Sequence, residues 1–307
     1  MKDSKDIEKY LYQLLIGNTV DSLPKDKYGG SAITMFNYIK PLIGNNYNSQ
    51  YKPGIKTKAT YSKKSGEPKT DIIIRTPDIF KLTIKEDDGA YIVSCNSPED
   101  FITQFIDIHD GKLILDKETI ENLEKCSKYI KKVPNFYSYD KTYKKNDNVE
   151  GFVEDKFCQK ALKYSKSENV TKYAKYIIEC YKNKNKQAEY ISYLHEAESF
   201  LQKTIKNLFE KYPDYSKKII FEFLTGNIKF NSSDSSSDYL ISNYGIYKLD
   251  NNNCEYVNSI YNKFINSLKI GRLQNVPRKS ITKKILSTND LKLIAESFSV
   301  ADLTFKI

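Results

Sequence analysis

Tryptophan is absent from this 307-residue chain, and histidine occurs only at His109 and His195. Two isolated histidines cannot supply a zinc cluster of Cys/His type, and the five cysteines (Cys95, Cys126, Cys158, Cys180, Cys254) contain no CxxC pair. Their odd number and wide scatter also argue against a disulfide framework, which leaves them as small buried hydrophobes. Ser94-Cys95 has no histidine placed with it and does not qualify as a nucleophile. No stretch approaches the ~20 apolar residues that span a bilayer. No glycine-rich GxxxxGK[ST] loop is present, so an ATP-driven motor is not supported. The opening Met1-Lys2-Asp3-Ser4-Lys5-Asp6 leads into no apolar run of signal-peptide type. The expectation is an intracellular protein with no membrane partner.

What is present is a globular composition with a basic excess. Hydrophobic residues make up 39% in short runs, enough to build a core. Lysine plus arginine number 49 against 39 acids, a net charge of +10. A polyanion is the natural partner of such a chain, because neutralised phosphates release counterions. Abundant lysine, asparagine and tyrosine without tryptophan also follow from AT-rich coding, so charge alone does not name nucleic acid. Tyrosines interleave with lysines over Tyr137–Tyr143 and Tyr173–Tyr181, where aromatic rings can stack on bases. At helical spacing, Tyr173, Ile177 and Tyr181 read equally as core positions. Lys269, Arg272, Arg278, Lys279, Lys283 and Lys284 form a basic cluster suited to a phosphate backbone or to a solvated surface.

Periodicity predicts a helix over Ile7–Ile16, ended by Gly17-Asn18, and a second over Ser31–Ile39, broken by Pro41 and Gly44. Asn45–Lys58 reads as a polar loop. Asp71-Ile72-Ile73-Ile74-Arg75 is strand-like, Thr76-Pro77-Asp78 is turn chemistry, and Ile79–Lys85 resumes as a strand. A turn at Glu86–Gly89, a strand at Ala90–Cys95 and a helix from Ser97 follow. Lys117–Phe223 is mostly helical, with helices expected at Lys117–Tyr129, Glu154–Tyr164, Val170–Tyr181, Glu189–Lys211 and Tyr215–Leu224. Gly226 stands where a C-cap glycine belongs. The serine-rich Asn231–Asp238 reads as a flexible loop. Strands within Tyr239–Leu249, a helix over Tyr256–Leu268 and a strand at Leu303–Ile307 close the chain.

The chemistry concentrates in Ser65-Gly66-Glu67-Pro68-Lys69-Thr70-Asp71 and the hairpin behind it. With the reversal at Thr76–Lys81, strand alternation lets Asp71 and Lys85 share one face at the open end of the hairpin. A carboxylate there can hold a divalent cation of the Mg²⁺ type, which takes one or two carboxylates plus phosphate oxygens. A neighbouring lysine can position water or offset charge developing on phosphorus.

Gly66-x-Pro68-Lys69-Thr70-Asp71-Ile72-Ile73-Ile74, then Leu82-Thr83-Ile84-Lys85 and a helix after Ser97, resembles the PD-(D/E)xK nuclease superfamily, in particular its restriction-type and phage-encoded members. The likeness covers roughly residues 60 to 105, with the first helix as an additional family element. It implies an α/β fold with a restriction-endonuclease-like central mixed sheet flanked by helices, DNA cleavage, and dependence on Mg²⁺ (or Mn²⁺). Asp71 would be the metal ligand and Lys85 the catalytic lysine. Thr83 occupies the position where the family usually carries a second acid. That acid must then come from elsewhere, and Glu8, Glu67 and Glu222 are candidates that spacing does not separate. Lys69, Lys229, Arg272, Arg278 and Lys279 are expected to contact nucleic acid. The layout implied is a nuclease-like core over 1–115, a helical segment over 116–230 and a C-terminal α/β part over 231–307 that packs on the core. A two-fold dimer is the natural form for double-strand cutting. Two other classes remain: a nuclease fold that binds nucleic acid without chemistry, as in a virus structural protein, and a helical scaffold for protein partners.

Overall fold

The computed structural model describes residues 5–52, 57–58, 65–66, 68–85, 91–95, 98–107, 115–132, 183–231, 233–274 and 302–306, with isolated helical positions between 159 and 179. The chain divides into two compact units: Met1–Ile92 with Leu208–Leu268 and Lys306–Ile307, and Val93–Asn207 with Lys269–Phe305. No helix among the described residues is long and apolar enough to cross a membrane.

The first unit is a mixed α/β layer structure. Helix α1 (Lys5–Leu15) buries Ile7, Leu11, Leu14 and Leu15, a stripe at i, i+4, i+7 and i+8. It stops at Gly17, whose φ of 97° suits glycine, with Gly17 N–H donating to the Leu14 carbonyl. Helix α2 (Lys27–Ile43) is capped by the Asp26 carboxylate, which accepts from the Tyr28 and Gly29 N–H groups at 3.0 Å each. It runs through Pro41 to Ile43, four residues beyond the end expected at Ile39, with Gly44 as its C-cap. Pro41 has no N–H for the Asn37 carbonyl, so the helix forgoes one bond there, yet it continues and the Gly44 N–H closes on Lys40.

A five-stranded mixed sheet lies against these helices, in the order β1 (Asn48–Tyr51), β4 (Ile72–Arg75), β5 (Ile79–Ile84), β7 (Tyr239–Ser242), β8 (Gly245–Lys248). All neighbours are antiparallel except β5 and β7, which pair in parallel with Thr83 opposite Leu240. Strand β1 falls inside the stretch expected as a loop. Its polar side chains hide a backbone that completes the edge of β4, with Tyr51 opposite Ile72. Two short strands, β2 (Thr57–Lys58) and β3 (Ser65–Gly66), pair separately.

Ile72, Ile74, Leu82, Ile84 and Ile241 join the α1 and α2 stripes in one hydrophobic core. Ile73 is also fully buried, which is why three isoleucines in a row suit β4: both faces of the strand are covered. Each such side chain contributes about 1.5–3 kcal/mol relative to exposure. The unit is completed by α6 (Pro213–Thr225) and α7 (Glu255–Ser267), with Phe264 of α7 ring-to-ring with Phe209 at 5.1 Å and the Tyr256 ring tilted against Tyr247 of β8 at 4.8 Å.

The second unit holds α3 (Pro98–Ile102) continuing into a π turn at Thr103–Asp107, α4 (Lys117–Lys132), and most of α5 (Lys184–Lys211). It also carries most of a three-stranded sheet in the order β6 (Tyr91–Cys95), β10 (Asp302–Lys306), β9 (Lys269–Gln274). Strand β6 therefore belongs to a separate sheet and does not extend the β4–β5 hairpin. Phe101, Phe105, Leu123, Cys126, Ile130 and Leu201 are buried here. Burial pushes the Cys126 thiol up to about 12, against the Thr204 hydroxyl that counters it, so it has no thiolate character at neutral pH. The helices expected at Glu154–Tyr164 and Val170–Tyr181, and the turn at Glu86–Gly89, fall largely or wholly outside the described residues.

Candidate functional site at the end of the hairpin

The Thr76-Pro77-Asp78 reversal forms as its chemistry dictates. The Thr76 hydroxyl accepts from the Asp78 N–H at 3.0 Å, and the Thr76 N–H donates to the Asp78 carbonyl at 2.8 Å. The hairpin then aligns Ile72 with Leu82 and Arg75 with Ile79. Its open end carries the charges. Asp71 lies in a bend just ahead of β4, its N–H donating to the Leu82 carbonyl and its own carbonyl accepting from the Lys52 N–H.

The Asp71 carboxylate reaches across to β5. Its Oδ2 accepts the Ile84 N–H at 2.7 Å and, at a long 3.4 Å, the Thr83 hydroxyl. Thr83 is 1% exposed, so its hydroxyl serves the aspartate and not solvent. Burial raises the Asp71 carboxyl above its ordinary value, opposed by the Lys85 charge, the Ile84 N–H, Lys69 and Thr83. Lys85 follows β5, its N–H bound to the Ile241 carbonyl at 3.0 Å. Its ammonium acts on Asp71 electrostatically, yet the two make no ion pair within 4.0 Å among the described residues. The acid and the lysine thus attract each other without closing into an ion pair.

Lys69 stands beside them. Burial, Lys85 and Lys229 together bring its ammonium down to about 7, against the opposing pull of Glu222 and Asp71. Its backbone is pinned by the Ser235 carbonyl at 2.8 Å, and the Thr70 hydroxyl donates to the Ser236 carbonyl. Lys81 reaches the same loop at the Ser233 carbonyl (3.3 Å), the Ser236 hydroxyl (3.1 Å) and Asp238 (3.2 Å). Ser235, Ser236 and Ser237 are buried. The segment expected as a flexible loop is thus a hydrogen-bonded wall behind Lys69 and Thr70.

Glu222, on the last turn of α6, is 4% exposed, and both its oxygens accept backbone N–H groups: Oε2 from Ile228 at 2.8 Å and Oε1 from Lys229 at 2.9 Å. Burial raises its carboxyl, while those two bonds, Lys69 and Lys229 pull the other way. Gly226 caps α6 with φ 63°, and a Cβ there would meet Lys69 Cγ at 2.7 Å and the Phe230 ring at 2.9 Å. Sequence alone offers Glu222 only as one acid among three. Its position four residues ahead of a C-cap glycine and inside a turn ending in Lys229 was the available sign of its role.

The structure thus brings Asp71, Thr83 and Lys85 together, with Lys69, Lys229 and Glu222 around them. Glu8 is half-buried on α1, and no three His, Cys, Asp or Glu side chains converge among the described residues. Glu67, Arg278 and Lys279 lie outside the described residues, and Arg272 is on β9 of the second unit. No protein-family model, curated protein or solved structure matches the chain.

Asp71 is the acid of this set with an uncommitted oxygen. Glu222 has both oxygens committed to its own turn. Asp71 Oδ2 is engaged by Ile84, whereas Oδ1 receives no hydrogen bond among the described residues. Mg²⁺ accepts a single protein carboxylate when water and phosphate oxygens complete its shell. Asp71 is the residue that would hold it.

Proposed function

We propose that the chain is a metal-dependent DNA endonuclease of restriction-endonuclease-like fold, hydrolysing phosphodiesters at the open end of the β4–β5 hairpin with Mg²⁺ or Mn²⁺. The observation that carries this reading is the approach of Asp71 and Lys85 at the open end of one hairpin, near enough for the lysine charge to act on the carboxylate without an ion pair within 4.0 Å. Asp71 would hold the ion, which when bound polarises a phosphoryl group and lowers the pKa of its water. Lys85 holds a phosphate oxygen and offsets charge as the phosphorus becomes pentavalent. Thr83 and the Ile84 N–H fix the rotamer of Asp71, so the carboxylate is oriented before substrate arrives. The net charge of +10 draws a polyanion to the surface.

The test is plasmid nicking with Mg²⁺, with EDTA as control. Wild type is expected to relax or cut supercoiled DNA, and Asp71→Ala and Lys85→Ala each to lose about 100-fold or more, as for removal of a group stabilising developing charge. Cleavage unchanged by both substitutions removes these residues from the mechanism.

Thr83 favours a second reading. A hydroxyl at the position where a second carboxylate would serve the ion, already turned onto Asp71, suits a nuclease-type fold kept for nucleic-acid binding alone. That reading expects salt-dependent DNA binding with no turnover under Mg²⁺ or Mn²⁺.

A further inference from the structure

We infer that Lys81 is a positioning residue for Asp71: its ammonium ties down the turn 233–238, and that turn holds the backbone from which Asp71 is presented. That Asp71 then serves a metal rests on the nuclease reading, whereas its positioning can be measured with no metal present.

Lys81 lies on β5 opposite Ile73 of β4. Ile73 is fully buried, so an apolar partner would suit the position, and a lysine there incurs a desolvation cost. The side chain is 12% exposed, and its ammonium has three oxygen partners for its three N–H groups: the Ser233 carbonyl at 3.3 Å, the Ser236 hydroxyl at 3.1 Å and the Asp238 carboxylate at 3.2 Å. Its main-chain carbonyl also takes the Asp238 N–H at 2.9 Å. The Ser236 hydroxyl donates in turn to the Ser233 carbonyl at 2.8 Å, so ammonium, hydroxyl and carbonyl close a triangle inside the turn. One residue therefore fixes both ends of the turn, at Ser233 and at Asp238.

The turn passes this hold on to the segment ahead of Asp71. The Ser235 carbonyl accepts the N–H of Lys69 at 2.8 Å and of Thr70 at 3.4 Å, and the Ser236 carbonyl accepts the Thr70 hydroxyl. Thr70 is buried, which shields these bonds from water. On its other side Asp71 is held by β5, through its N–H on the Leu82 carbonyl and its Oδ2 on the Ile84 N–H. The carboxylate thus hangs between two supports, the sheet and the turn, and Lys81 belongs to both. Lys81 and Thr83 are two residues apart on one strand, so the side chain that anchors the turn and the hydroxyl that meets Asp71 leave the same face. An exposed ion pair contributes little to stability. What distinguishes Lys81 is that the residues it grips are the ones that grip Thr70. A metal-binding carboxylate gains from being held in advance, because less freedom is lost on binding.

The test is amide hydrogen exchange, followed by NMR on the full chain in EDTA, for wild type, Lys81→Met and Ser236→Ala. Lys248→Met, which alters an exposed lysine on β8, is the control. The Ile84 N–H reports on the Asp71 carboxylate directly, since it donates to Oδ2. Lys81→Met keeps the stem and removes the grip, so exchange at Lys69, Thr70 and Ile84 is expected to quicken by about tenfold or more, with Ile74 of β4 unchanged. Ser236→Ala should quicken the same three amides by about threefold, and Lys248→Met none of them. Unchanged exchange at Ile84 in Lys81→Met overturns the proposal. Equal quickening at Ile74 also overturns it, because that marks a general loss of stability. Should Lys81→Met not fold, Ser236→Ala decides on the same criteria. A Mn²⁺ titration of the same proteins separates this inference from the reading it rests on. Binding that Asp71→Ala abolishes and Lys81→Met weakens by at least about fivefold supports both. Wild type that binds no Mn²⁺, with exchange at Ile84 still quickened by Lys81→Met, sinks the nuclease reading and leaves the positioning standing. Mn²⁺ binding at Asp71 that Lys81→Met leaves untouched does the reverse.

Discussion

Replacing Lys69 by methionine keeps the stem that packs on Gly226 and deletes the ammonium, so it isolates the energetic cost of that charge. In the unfolded chain the amine titrates near 10.5, and in the folded protein at about 7. Between these values the unfolded state binds more protons, so the contribution of this residue to stability rises with pH across the window. From pH 7 to pH 9 the full displacement corresponds to about 2.3 kcal/mol by linkage. The side chain is half-buried, and solvent screening leaves about 1–2 kcal/mol. The assay is urea denaturation of wild type and Lys69→Met at pH 7, 8 and 9 in EDTA. At pH 7 the methionine variant is expected to be the more stable, and its advantage to shrink by about 1–2 kcal/mol by pH 9. A gap that stays constant or widens over that interval refutes the placement of Lys69 among Lys85 and Lys229.

Other perturbations probe neighbouring parts of the site and its support. Asp71→Asn keeps an acceptor for the Ile84 N–H and removes a desolvated charge, so its thermal midpoint is expected to match or exceed wild type while nicking is lost. A large loss of stability would show that the carboxylate is structural. Thr83→Asp supplies a second acid at a site 1% exposed, and is expected to cost about 1–3 kcal/mol without metal. The same variant should be stabilised by millimolar Mg²⁺ more than wild type is, as a melting series reports. Gly226→Ala forces a left-handed residue and a clash with Lys69, and should cost at least about 1–2 kcal/mol in chemical denaturation. Leu11→Ala, in the α1 stripe, should cost about 2–5 kcal/mol with no change in activity per folded molecule.

What could be read from the residues was local. The isoleucine run, the Thr-Pro-Asp reversal and the C-cap at Gly226 each carry their conformation in neighbouring side chains, and each forms where expected. The juxtaposition of Asp71 with Lys85 followed from strand alternation and a turn of known position. Asn48–Tyr51 was hidden, because an edge strand that exposes half its side chains has no apolar alternation to display. Pro41 misled because packing carries the helix past it: Ile39 and Ile43 on either side are buried in the core, which offsets the backbone bond the proline cannot make. The serine segment was misjudged because its order comes from Lys69, Thr70 and Lys81, more than 150 residues away, whose bonds no local composition announces. Glu222 was legible only as one of three candidate acids, and its role in the turn was hidden for the same reason. Its partners are backbone N–H groups, which every sequence has.

The parallel pairing of β5 with β7 sets an order of events during synthesis. The β4–β5 hairpin leaves the ribosome about 150 residues ahead of Tyr239–Ser242, so the Leu82–Ile84 flank of β5 waits with its hydrogen-bonding groups unmatched. An apolar rim held open that long invites association with other nascent chains. Slower translation across the intervening stretch, or a shortage of chaperones, should therefore lower the soluble yield of this protein well before it changes the finished molecule.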